Sequence, residues 1–269
     1  MLNKVPEATL VFWIIKILAT TVGETCADFL AVRAGLGATA TAIVMSGFLV
    51  LALSIQLRTR KYTPWVYWLT VVLVSIVGTQ ITDFLTDKLE ISLYISTSAF
   101  LVVLGAVFSI WYSIERTLSI HTIVTTRREL FYWAAILFTF ALGTAAGDLA
   151  TEALGLGFQL GGAVCATLIV GIYIVYALGG NPVLTFWLAY ILTRPLGASL
   201  GDLLSQSPKY GGVGFGASYT SIVFLTIIVA LVAWITFNDG QARKTMPPDD
   251  RAGRCDTSQK ERARCKDGF

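Results

Sequence analysis

The sequence predicts an all-α polytopic membrane protein, with eight transmembrane helices arranged as four parallel, pseudo-repeated hairpins. Three observations predict it. The chain is 55% hydrophobic and only 14% charged, well below the roughly 25% charge of a soluble domain. Its apolar residues gather into eight runs, each near the roughly 20 residues needed to cross a bilayer. And one pattern, Trp, nine residues, Gly, four residues, Asp, occurs four times, as Trp13–Gly23–Asp28, Trp68–Gly78–Asp83, Trp133–Gly143–Asp148 and Trp187–Gly197–Asp202.

Taken in order, the first run predicts a helix over about 8–31; it carries Lys16 and Glu24, has no clear small-residue cleavage site, and is expected to be the first permanent span. The turn Ala34–Gly35–Leu36–Gly37 separates it from a helix over about 38–57. Helices follow over about 65–86 and 92–112, then a longer loop with Arg116, His121, Arg127 and Arg128. The third pair spans about 131–151 and 159–178, joined by Gly155–Leu156–Gly157. Gly179–Gly180–Asn181–Pro182 breaks the chain before the last pair, about 183–204 and 218–237. The membrane domain is therefore expected over 1–237, with repeats near 4–57, 62–112, 127–178 and 181–237. The polar, mixed-charge segment 238–269 is expected to be a disordered tail.

A two-helix unit returns the chain to the side it left, so the four copies should share one orientation about an axis along the membrane normal. Lys4, Arg58, Arg60, Lys61, Arg116, Arg127, Arg128 and the tail's basic residues fall on one side; Arg33, Lys88 and Lys209 fall on the other. The positive-inside tendency makes the first side, with both termini, cytoplasmic. The net charge of +3 lies in loops and tail, which gives no reason to expect a nucleic-acid partner. The lipid bilayer and a small cation or proton are the partners expected.

In each copy the Gly and the residue four later form a small-xxx-small pair, which lets helices approach closely. The Asp follows directly, beside that seam. Residues four apart share a helix face, so polar stripes run Lys16–Thr20–Glu24–Asp28, Thr79–Asp83–Asp87, Thr144–Asp148–Glu152 and Arg194–Ala198–Asp202–Gln206. Intramembrane charge is costly and usually functional. Asp28, Asp83, Asp148, Asp202, Glu24, Asp87 and Glu152 are the expected cation or proton sites, with Asp83 and Asp148 the expected metal ligands. Lys16 and Arg194 are the expected charge partners, Lys16 towards Glu24 or a neighbouring Asp, Arg194 towards Asp202 or another helix. The four Trp are expected in an interfacial aromatic belt.

Catalytic motifs are missing: there is no HExxH, Walker A or GxSxG stretch, and the single His121 excludes paired-histidine haem ligation. Gly147–Asp148 and Gly201–Asp202 lack the preceding Gly of intramembrane aspartyl proteases. Cys26, Cys165, Cys255 and Cys265 fit neither a disulfide framework nor a zinc spacing. No enzyme activity and no cofactor are expected.

At its four Trp, Gly and Asp positions the chain resembles a family of bacterial inner-membrane proteins built from four tandem two-span repeats of unknown function, over about residues 3–237. The resemblance implies a bacterial multi-pass inner-membrane protein and carries no functional residues with it. The expected function, from the repeat acids, is transport of a cation, including proton-coupled export of a divalent metal. The alternative is a structural or regulatory membrane protein whose acids form buried ion pairs.

Overall fold

A computed structural model describes residues 3–30 and 37–245. Among these, eight helices are long and apolar enough to cross a membrane: α1 Leu10–Asp28, α2 Ala38–Arg58, α3 Pro64–Asp83, α4 Leu93–Glu115, α5 Thr126–Asp148, α6 Gly157–Ala177, α7 Pro182–Ser205 and α8 Ala217–Thr245. The chain is a multi-pass membrane protein of four two-helix repeats. The starts follow from local chemistry. Thr9, Thr125 and Asn181 cap α1, α5 and α7 by accepting from the amides of Phe12, Arg128 and Val183, as small polar N-caps do. Pro64 and Pro182 begin α3 and α7, where a missing amide hydrogen costs nothing. The Thr125 cap starts α5 before the expected 131, so Arg127 and Arg128 sit on its first turn and both donate to Glu115. Helix α8 continues past 237 to Thr245; residues 246–269 of the expected tail lie outside the described residues, as do 31–36.

The odd helices form an inner ring, α1 against α3, α3 against α5, α5 against α7 and α7 against α1. Half or more of the residues of each are buried, against fewer than a quarter in each even helix. Covalent connection and packing are offset by one repeat. Helix α2 packs chiefly on α3, α4 on α5, α6 on α7, and α8 on α1. The outer helix of each repeat thus covers the inner helix of the next, and the ring closes on itself.

The repeat glycines make that ring tight. A Cβ on Gly78 would stand 2.7 Å from Phe140 Cβ, and one on Gly197 2.6 Å from Thr20 Cβ. One on Gly23 would overlap Ser75, and one on Gly143 would overlap Arg194. Ser75, Phe140, Arg194 and Thr20 occupy the same place in successive repeats, seven residues after the Trp. Each inner helix therefore presses its glycine onto the equivalent side chain of the next, as the small-residue spacing predicts.

After Asp83 and Asp148 the helix widens into one π-type turn, Phe84–Lys88 and Leu149–Ala153. Such turns often mark functional positions. Each ends where the amide five residues on donates back, Leu89 to Phe84 at 3.2 Å and Leu154 to Leu149 at 2.9 Å.

Candidate functional site: a charged tier on the repeat axis

Side chains at four-residue intervals along the inner helices stack as tiers around the axis. Nearest the Trp end are Phe12, Tyr67, Tyr132 and Phe186; then Lys16, Val71, Ile136 and Tyr190; then Thr20, Ser75, Phe140 and Arg194; then Glu24, Thr79, Thr144 and Ala198. All sixteen are buried. The outermost tier is the acids themselves. Asp83, Asp148 and Asp202 are partly buried and each has an interaction partner; the side chain of Asp28 lies outside the described residues.

The tier of Glu24 is occupied by Arg194. Its Nη2 donates to Glu24 Oε2 at 2.7 Å and to Thr144 Oγ1 at 2.7 Å, and it contacts Thr79 Oγ1. Its Nη1 donates to the Thr20 carbonyl at 3.1 Å. Glu24, Thr79 and Thr144 are equivalent positions of the first three repeats. Three repeats thus supply the oxygens and the fourth supplies the cation. Of the partners expected for Arg194, the interhelical one is found, because the i+8 acid Asp202 sits two turns away along the axis. The glutamate is brought within reach by the α7–α1 closure.

Lys16 departs from its expected role. Its Nζ is fully buried and has no hydrogen-bond partner among the described residues. It lies instead 3.8 Å from the centroid of the Phe140 ring and 4.3 Å from that of Tyr190, in cation–π range. Phe140 and Tyr190 belong to α5 and α7, and α5 stands opposite α1 in the ring, so this contact crosses the axis.

Nearer the Trp end, Tyr67 and Tyr132 share a hydroxyl–hydroxyl hydrogen bond of 2.5 Å. The repeat Trp are not an interfacial belt: Trp68, Trp133 and Trp187 are buried and Trp13 is half-buried. Each rests against the residue before the Trp of the preceding repeat. Ring centroids are 5.5 Å apart for Phe12 and Trp68, 5.5 Å for Tyr67 and Trp133, 6.2 Å for Tyr132 and Trp187, and 5.6 Å for Phe186 and Trp13. The Trp therefore lock successive repeats together. Their indoles turn inward onto the aromatic rings of the neighbouring repeat, and such ring pairs add to packing.

The remaining expected residues lie at the Asp end. Asp87 is exposed on the π turn, accepting from Thr86 at 3.4 Å; the Glu152 side chain is outside the described residues. Among the described residues no three His, Cys, Asp or Glu come together as a metal-holding group. Sequence reasoning missed Thr79 and Thr144 as ligands of Arg194, although both stood in the polar stripes. It also missed a second buried ion pair at the Trp end, Lys4 with Glu129 at 2.6 Å, joined by Gln56 donating to Glu129 at 3.0 Å.

The repeat described as Repeat of Unknown Function (DUF347) matches the chain four times, over 11–62, 66–117, 131–178 and 185–241. The chain belongs to this repeat family. The four matches coincide with the four two-helix units, each holding one inner and one outer helix. No curated protein and no solved structure matches the chain. The family's description leaves activity open.

Proposed function

We propose that this member of the repeat family is a bacterial inner-membrane transporter of a small cation, working through the axis of the four-repeat ring. Both termini then face the cytoplasm, as the distribution of Lys and Arg favours, and the repeat acids face outward. Asp83, Asp148 and Asp202 gather the cation at the outer mouth, and the tier of Glu24 handles it inside. The observation that carries this reading is Lys16, a fully buried amine with no hydrogen-bond partner among the described residues. Its contacts with the Phe140 and Tyr190 rings leave the amine's hydrogens without acceptors in a low-dielectric interior, which is costly for packing alone, whereas a proton-coupled cycle uses a group able to change charge there.

The structural alternative draws support from Arg194 and Glu24, which form a well-made pair of the kind that fixes helix packing. It leaves the missing hydrogen bonds of the Lys16 amine unexplained. Export of a divalent metal would draw on the same outer acids, Asp83, Asp148 and Asp202; the single carboxylate of the Glu24 tier suits a singly charged ion better.

The reading is tested by sensitivity profiling of a strain lacking the gene against alkali and divalent cations. Complementation uses the wild type, Asp83→Asn and Asp148→Asn. The wild type should restore tolerance to one cation while the two variants, expressed equally, should not. Unchanged tolerance across the whole panel would sink the transport reading.

A further inference from the structure

Arg194 Nη2 donates its two hydrogens to Glu24 Oε2 and Thr144 Oγ1, and Thr79 Oγ1 lies beside it. The threonine hydrogens have acceptors of their own. Thr144 donates to the Phe140 carbonyl at 3.2 Å, and Thr79 to the Ser75 carbonyl at 3.2 Å or to Glu24 at 3.3 Å. Both hydroxyls therefore present lone pairs to the nitrogen. An amino group satisfies two acceptors; a spherical cation accepts as many oxygens as can pack around it. The Thr20 carbonyl, on Nη1 at 3.1 Å, adds a fourth oxygen. At the corresponding place of the last repeat stands Ala198, which has no side-chain oxygen.

We propose that this cup is the ion site of the transporter, and that Arg194 is a tethered stand-in which a sodium-like alkali cation replaces. The assignment rests on the transport reading and names its substrate class. One carboxylate balances one positive charge, so the cup stays neutral whichever cation fills it. Hydroxyl and carbonyl oxygens are hard ligands suited to such ions. The arginine is built to withdraw. Pro195 follows it in mid-helix and leaves the Ile191 carbonyl without its helical donor. Its Nε has no acceptor among the described residues, and its Cβ and Cγ rest on Gly143, so exchange moves the guanidinium head while the stem stays packed.

The test uses purified full-length protein in detergent, with radioactive sodium binding and thermal unfolding in sodium chloride against choline chloride. Arg194→Ala and the milder Arg194→Gln should each bind one sodium per chain at least about tenfold more tightly than the wild type. Both should melt higher in sodium than in choline, and Glu24→Gln in either background should remove both effects. Sodium binding no tighter than wild type, or binding indifferent to Glu24→Gln, overturns the site. So does stabilisation of both variants by guanidinium chloride alone, or failure of both to fold in sodium as in choline. Sodium bound at the cup without flux through wild-type liposomes keeps the site and removes the transport reading; sodium flux with no binding at the cup does the reverse.

Discussion

Arg194 Nη2 and Glu24 Oε2 meet at 2.7 Å across 170 residues of chain, joining the last repeat to the first. Removing one partner of such a buried pair strands the other, at a cost of about 3–5 kcal/mol, whereas replacing both by apolar residues is often neutral or better. Glu24→Met and Arg194→Met should each lower stability by that order, and the double variant should recover most of the loss. Unfolding in mixed micelles over the four-protein cycle measures the coupling; additive losses would contradict the pairing.

Lys16 should behave in the opposite sense. With no hydrogen-bond partner for its amine among the described residues, Lys16→Met exchanges a buried polar head for a thioether of similar length. Stability should rise by about 1–4 kcal/mol, the range seen when buried ionic groups give way to apolar ones. A fall in the melting temperature would mean that the amine holds the bundle together.

The tyrosine pair offers a test within one tier. Tyr67 and Tyr132 hydrogen-bond to each other across the second and third repeats, and the first and fourth carry Phe12 and Phe186 at the same place. Tyr67→Phe alone orphans the Tyr132 hydroxyl and should cost about 1–3 kcal/mol, while the double Phe variant should be near neutral. Equal losses for single and double variants would show that the hydroxyls have other partners.

The ring glycines and the outer glycines should separate cleanly. A methyl at Gly78 or Gly143 meets Phe140 or Arg194, whereas at Gly105 or Gly171 it meets open space. Gly78→Ala and Gly143→Ala should cost about 1–3 kcal/mol, as overpacking does. Gly105→Ala and Gly171→Ala should cost nothing. Thermal unfolding of the four variants decides it, and a uniform response would place the helices further apart than described.

Much of this arrangement is legible in the sequence. The eight spans, the repeat period and the polar stripes follow from spacing within a helix, which is local. The stripe through Lys16, Thr20 and Glu24 does face inward. What spacing cannot convey is which helix stands next to which. Arg194 reaches Glu24 only because α7 closes on α1, and Lys16 reaches Phe140 only because α5 stands opposite α1. The direction of the Trp was hidden for a related reason. An indole near a helix end suits a lipid interface and a neighbouring repeat equally well, and only the offset packing, with α2 on α3 and α8 on α1, decides between them.

That offset bears on how the protein is made. Glu24 enters the membrane with the first helix, 170 residues of synthesis before Arg194 exists. The groove on α1 that α8 covers also stays open until the final span is complete. A chain stopped before α7 would lack the arginine that pairs with Glu24 and the helix that covers α1.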